Sequence, residues 1–221
     1  MSRALRLMIS FALFGALLFI PAGRLDWWEA WVFLAIYYVI ALVGQLWIMQ
    51  RDPALDQERS GLGRNVKRWD RVIVSVNWIL TFALLIVIGL DAGHYHWSAV
   101  PLGWRTLGGL GMLASFGLTL WAAHANTFLS AQVRIQTERG HHAVTGGPYH
   151  YLRHPMYLSM MLYDLCLPIL LGSWWALGVS GLMIVIMITR TALEDRTLQA
   201  ELPGYTAYTQ QTRFRLIPGL W

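Results

Sequence analysis

Cysteine is almost absent: Cys166 stands alone inside an apolar run, so neither a disulfide nor a cysteine-based metal site is available. Charge is scarce too. Only 13% of the 221 residues are charged, and with 56% hydrophobic content and twelve tryptophans this excludes an ordinary soluble domain. Also missing are a Gly-x-Gly-x-x-Gly turn, a phosphate loop and a Gly-x-Ser-x-Gly elbow, so any nucleotide-like cofactor must be held without a Rossmann domain. No repeat at a fixed period and no low-complexity tract interrupts the chain.

What fills the chain instead is a series of apolar runs near the roughly 20 residues that a membrane span needs. Leu5 to Pro21, Trp28 to Met49, Val72 to Leu90 and Leu107 to Ala125 read as four spans. The first is read as a retained span rather than a signal peptide, because a second apolar run follows within a few residues. Met156 to Gly172 and Trp174 to Thr189 are shorter and nearly abut, which predicts a helical hairpin turning at Gly172-Ser173. Thr189 to Leu202 then predicts a helix leaving the membrane and stopping at Pro203. The expected fold is all-α: a polytopic bundle of about six membrane segments with a cytosolic C-terminal helix and tail. Residues 1–125 would form the N-terminal transmembrane helices, and 126–221 the cofactor-binding and catalytic region.

The net charge of +5 is distributed unevenly. With six spans, fifteen Arg and Lys residues fall on one side and only Arg24 and Arg105 on the other. Under the positive-inside rule both termini face the cytoplasm, in a bacterial inner membrane or an endoplasmic reticulum. The basic loop from Gln50 to Arg71 is expected to lie along anionic headgroups. These charges flank spans instead of interleaving with aromatics, so nucleic acid is not an expected partner. Polar residues within spans are few. Asn77 and His124 are expected to hydrogen-bond between helices, and Asp164 to bond to a neighbour such as Tyr163 or a facing helix.

The densest chemistry lies in Gly147-Pro148-Tyr149-His150-Tyr151-Leu152-Arg153-His154-Pro155-Met156-Tyr157. Pro155 suits a first helical turn and holds His154 extended, but that geometry does not need the neighbouring arginine and tyrosines. A helix N-terminus beside Arg153, His154 and Tyr157 favours an anion. Beyond the hairpin, Arg190 and Glu194 are four apart on one helical face, with Asp195 about 100° further round. Arg190 offers a planar fork for a carboxylate, and Glu194 an acceptor for an amine or hydroxyl. His141, His142, His150 and His154 have no metal-ligand spacing, so no metal is expected.

Taken in order, Val133-Arg134-Ile135-Gln136, His141 to Thr145, Gly147-Pro148-Tyr149, Arg153 to Tyr157, Arg190-x-x-x-Glu194-Asp195, Gly204-Tyr205-x-x-Tyr208 and Arg213 to Pro218 resemble the isoprenylcysteine carboxyl methyltransferase family and its prokaryotic relatives. The resemblance covers roughly the last ninety residues. It implies an integral membrane carboxyl O-methyltransferase that uses S-adenosyl-L-methionine. The cofactor contacts it implies are Arg134, His141, His142, Ala143, Val144, Tyr149, His154, Pro155, Met156, Tyr157 and Glu194. Arg134 stands where the family often has glutamine, and Asp195 replaces the usual second glutamate. It further implies that Arg190 holds the carboxylate of a lipidic or prenylcysteine-like acceptor, with His154 and Glu194 completing the catalytic set. A carboxylate is already ionised at neutral pH, so methylation would need positioning more than a general base.

Three other readings stay open at this point. A phospholipid or small-molecule N- or S-methyltransferase would share the cofactor site. A membrane sterol-type reductase using NADPH resembles the Arg-His-Pro and closing segments. A non-enzymatic scaffold or transporter would account for Asp164 and the spans, but not for the histidine and tyrosine loop.

Overall fold

A computed structural model describes residues 3–51 and 66–221. Among the described residues seven α-helices follow in order: α1 Arg3–Ala22, α2 Trp28–Arg51, α3 Arg68–Ile88, α4 Leu102–Ala125, α5 Pro155–Leu171, α6 Ala176–Glu201 and α7 Tyr205–Gln211. There is no strand among the described residues. The middle of the basic loop, with Arg59 and Arg64, lies outside the described residues.

Among the described residues four stretches are long and apolar enough to cross a membrane: Trp28–Trp47, Arg68–Tyr95, Leu102–Ala125 and Ala176–Glu201. Leu7–Ala22 and Pro155–Leu171 are apolar but shorter. The 17 residues of α5 extend about 26 Å, against a hydrocarbon core of about 30 Å. Exposed apolar side chains, including Ile20, Val72, Ile79, Leu102, Leu110 and Leu182, cover the outer surface of these helices. That is the surface expected of helices solvated by lipid.

Between helices in hydrocarbon there is little hydrophobic gain, so close packing and hydrogen bonds must hold them together. The α4–α5 contact shows both. A Cβ added to Gly108 would lie 2.8 Å from Leu170 N, and one added to Gly111 would strike Cys166 Sγ. Ser115 Oγ donates to Ser159 O at 2.8 Å, and the Thr119 and Ser159 hydroxyls pair beside it. Such interhelical bonds contribute about 0.6 kcal/mol each on average. Leu18, Leu34, Leu84, Leu85, Ile88, Leu167, Leu171 and Met183 fill the core between α1, α2, α3, α5 and α6.

The hairpin turn falls at Gly172-Ser173 as expected, but an acid far away in sequence holds it. After α3 the chain unwinds into a wider π-helical turn, Gly89–Tyr95, which buries Asp91 completely. Its carboxylate accepts from Ser98 N at 2.9 Å, Ser98 Oγ at 2.6 Å, Ser173 Oγ at 2.5 Å and Trp175 N at 3.4 Å. Gly172 closes α5 at φ 91°, a left-handed conformation that favours glycine.

The last span and the predicted cytosolic helix are one continuous α6 of 26 residues, about 39 Å long. No helix breaker precedes Pro203, so Thr189 marks no boundary. The interior polar residues also differ from expectation. The His124 ring packs against Trp47 at a tilt of 42°, with centroids 5.4 Å apart. Asn77 Oδ1 is buried without a partner, and the Asp164 side chain makes no hydrogen bond among the described residues.

Candidate active site

The N-terminus of α5, the C-terminal half of α6 and the tail meet at one end of the bundle, and the segment before Pro155 is fixed there by main-chain bonds. Arg153 N donates to Phe214 O at 3.0 Å and His154 N to Arg215 O at 2.9 Å, so the tail holds this segment through two successive main-chain bonds. A short 3₁₀ turn, Gly147–His150, leads in. Gly147 is left-handed at φ 59°, and a Cβ there would come within 2.9 Å of Ala125 Cβ. Tyr208 Oη donates to Tyr149 O at 2.6 Å, which ties α7 to the same turn. Burial pushes the Tyr149 phenol well above its ordinary pKa, with its hydrogen bond to Asn126 opposing.

Asp195 is the anchor of this end and is fully buried. It accepts from Arg153 Nη1 at 3.1 Å, Arg215 Nε at 2.9 Å, Gln199 Nε2 at 2.8 Å and Tyr205 Oη at 3.0 Å. His154 Nε2 lies 3.4 Å from it, and the imidazole stacks on the Tyr157 ring at 5.6 Å and an interplanar angle of 1°. Five side chains from the pre-α5 segment, α6, α7 and the tail thus converge on one carboxylate.

Its chain neighbours serve other purposes. Glu194 accepts from the Tyr157 hydroxyl. Arg190 reaches the other way, donating from Nε to Asp70 Oδ1 at 2.8 Å, and from Nη2 to Asp70 Oδ2 at 3.3 Å and Ala131 O at 2.9 Å. Asp70, at the start of α3, is fully buried and also accepts from Val133 N at 2.8 Å. The Arg190 fork is therefore charge-compensated, and its guanidinium lies 5.0 Å over the Tyr157 ring.

Residues 126–146 fold over this end around Phe128. His141 stacks on that ring at 4.7 Å, His142 meets it edge-on at 5.0 Å and Arg139 lies over it at 5.6 Å. Gln136, fully buried, donates from Nε2 to Phe128 O at 2.7 Å and accepts from Arg139 Nη1 at 2.7 Å. Arg134 is buried and pairs with the exposed Glu138 at 2.8 Å. Burial, reinforced by the positive field of His142, Arg134 and Arg139, lowers the His141 pKa from about 6.5 to about 4. His141 is thus neutral at pH 7. Between those two values the unfolded chain binds a proton that the folded chain refuses, so this contribution to stability is complete above about pH 6.5 and is lost as the pH falls through about 4. His141→Phe is expected to flatten the melting temperature across that window, and a slope equal to wild type would contradict it.

Two cavities open here. The first is a cleft lined by Arg134, His141, His142, Ala143, Val144, Tyr149, His154, Met156, Tyr157 and Glu194, so ten of the eleven implied cofactor contacts share one cleft. Pro155 does not line it; it is buried at the first turn of α5. The cleft also takes in Asn126, Phe128, Leu198, Leu202, Tyr205 and Tyr208, which the sequence reading did not assign to the site. Only the Tyr205-x-x-Tyr208 spacing signalled two of these. The second cavity, of about 380 Å³, lies among the helices and is lined mainly by apolar side chains such as Phe14, Ile73, Leu84, Leu85, Met160 and Leu167. Arg190 lines this cavity and not the cleft, whereas Glu194 lines the cleft alone. Leu129, Ser130, Met156 and Tyr157 border both.

Residues 110–200 match the sequence profile of the isoprenylcysteine carboxyl methyltransferase (ICMT) family. The match begins inside α4 and ends inside α6, so it takes in a helix that precedes the motifs carrying the resemblance and stops short of the tail. A cobalt-zinc-cadmium resistance protein, CzcN, of Cupriavidus metallidurans is 32% identical over 141 residues, which cover 61% of this chain and 58% of the relative. The chain thus spans less than two thirds of that relative's length.

Proposed function

We propose that the protein is an integral membrane methyltransferase that uses S-adenosylmethionine to methylate a lipidic acceptor, with a carboxylate as the nucleophile. The observation that carries this reading is a pair of neighbouring cavities that share Leu129, Ser130, Met156 and Tyr157 as a common border, one at the bundle end with the more polar lining, the other apolar and among the spans. A soluble donor and an oily acceptor would meet at that border. The family match supports methyl transfer as the reaction class.

The cleft residues suit such a donor chemically. Arg134 and His142 can receive a carboxylate, Glu194 and Asn126 can bond to an amine or hydroxyls, and Ala143, Val144, Leu198 and Leu202 give an apolar face for a purine. The enclosed volume is about 100 Å³, below the roughly 300–1,000 Å³ usual for ligand pockets, so binding requires the 126–146 loop to give way. S-adenosylmethionine supplies, when bound, a methyl group already activated on a sulfonium. The protein's own part is positioning. Asp70 fixes the Arg190 fork through Nε and Nη2, and Nη1, which makes no hydrogen bond among the described residues, would donate to the acceptor carboxylate. Tyr157 is held between Glu194 and Arg190, so one ring links the donor side to the acceptor side. Six membrane segments with both termini in the cytoplasm complete the proposal, supported by the fifteen-to-two sorting of basic residues.

Two substitutions separate the roles. Glu194→Gln is expected to weaken S-adenosylmethionine binding about tenfold or more, the range for a hydrogen bond to a charged group. Arg190→Lys keeps the charge beside Asp70 but loses the planar fork, and is expected to lower kcat with cofactor affinity unchanged. Equal losses of cofactor affinity in calorimetry would contradict this division. Compensation of Arg190 by Asp70 also favours a second reading, in which the nucleophile is a neutral amine. Radiolabelled product decides between them: a methyl ester releases methanol in alkali, and an N-methyl group does not.

A further inference from the structure

The helix-enclosed cavity holds two hydrogen-bond acceptors that the apolar walls do not need. Asp164 is 6% exposed, lines the cavity and makes no side-chain hydrogen bond among the described residues. Asn77 lines the same cavity from α3, and its Oδ1 is buried without a partner. Ser115 bonds to Ser159 O, Thr119 to Ser159 Oγ and Thr81 Oγ1 to Asn77 O, and the phenols of Tyr37 and Tyr163 line the same cavity without a hydrogen bond to the Asp164 or Asn77 side chain among the described residues. A buried acceptor without a donor is costly, and two facing one cavity point to a donor that arrives with the ligand.

Their depths agree. Asp164 follows Tyr157 by seven residues on α5, and Asn77 follows Asp70 by seven on α3, so each lies about 10 Å along its helix from the Arg190–Asp70–Tyr157 level. Both acceptors therefore sit at one level below the reacting end. A seven-residue step also keeps each on the helix face that carries the upper residue.

We propose that Asp164 and Asn77 form a second polar subsite, which selects an amphipathic acceptor bearing a hydrogen-bond donor, such as a hydroxyl, about 10 Å from its methylated end. The inference rests on the acceptor reading above for which end of the cavity reacts, but the subsite itself is a matter of binding. A plain hydrocarbon chain would leave both acceptors unpaired and is selected against, because loss of a partner for a buried polar group costs more than a missing methylene.

The test is competition binding to the purified full chain without any cofactor, using stearate and 10-hydroxystearate, whose hydroxyl lies a comparable distance from its carboxylate. Wild type is expected to prefer the hydroxylated acid about tenfold or more. Asp164→Asn, which keeps an acceptor oxygen, retains that preference; Asp164→Leu abolishes it, and Asn77→Leu reduces it. Equal affinities in wild type, or a preference that survives Asp164→Leu, would overturn the subsite and indicate that water serves the two acceptors. Calorimetry with S-adenosylmethionine on the same samples keeps the two claims apart. Failure to bind it sinks the methyltransferase reading alone, whereas intact cofactor binding with equal acid affinities sinks the subsite alone.

Discussion

Asp195→Leu is expected to dismantle the site end of the bundle. The substitution removes the common acceptor for Arg153, Arg215, Gln199 and Tyr205, and leaves Arg153 with a side chain only 8% exposed. Removing one partner of a buried ion pair costs about 3–5 kcal/mol because the remaining charge is uncompensated. Against a total stability of about 5–15 kcal/mol, such a loss is close to global failure. The effect should be local first, since Arg153 and His154 are the residues whose main chain pairs with the tail. Limited proteolysis is therefore expected to cut after Arg213 or Arg215 in the variant and to spare wild type. Asp195→Asn, which keeps an acceptor but loses the charge, should fall between the two. A variant as protease-resistant as wild type would show that the tail is held by something else.

The second large effect concerns Asp70. Asp70→Ala strands Arg190 and frees Val133 N, and is expected to lower stability by about 3–5 kcal/mol. Adding Arg190→Met removes the stranded charge, so the double variant should recover most of that loss while remaining inactive. The cycle separates the structural balance that Arg190 provides from the acceptor contact proposed for it. Because Asp70 also fixes the 126–146 loop through Val133, the single variant should bind the methyl donor less tightly as well. Thermal denaturation in detergent reads the first effect. A double variant no more stable than Asp70→Ala would mean that Arg190 and Asp70 are not coupled.

These pairings mark where sequence reasoning ran out. Local signals were legible: Pro155 predicts a helix start, Gly172-Ser173 a turn and Arg190-x-x-x-Glu194 a shared face, and each follows from chemistry within a few residues. The ordered segments from Arg134 to Tyr157 also pointed to one site, and the chain brings most of them to one cleft. Partners set by tertiary packing left no such trace. Asp70 meets Arg190 across 120 positions, and nothing in Arg-Trp-Asp-Arg distinguishes Asp70 from a solvated charge at a helix start. Asp91 follows directly on the predicted span Val72 to Leu90, and nothing local links it to Ser173, 82 positions on, which the π-helical turn brings into reach. The cluster Arg190, Glu194 and Asp195 resembled one charged patch. A helix turns about 100° per residue, so Asp195 points away from Glu194 and becomes the buried anchor of the tail, whereas Arg190 and Glu194 share a face and both meet Tyr157, Arg190 pairing with Asp70 on α3 and Glu194 lining the cleft.

Span ends are hard to place for a related reason. Apolar runs mark what is buried in lipid, but their ends are set by breakers and caps, so α6 continues from the membrane segment to Pro203 without a pause. Asp164 and Asn77 make the same point from the opposite direction. Averages over many proteins assign such groups a neighbouring partner, but here neither has one among the described residues, and that departure carries the acceptor subsite.

Titration of S-adenosylmethionine, its demethylated product and NADPH into the purified protein tests the central claim most directly. Saturable binding of the first two is expected, weakened by Glu194→Gln and preserved by Arg190→Lys. Binding of NADPH alone, or of none of the three, would contradict a methyl-donor site in this cleft.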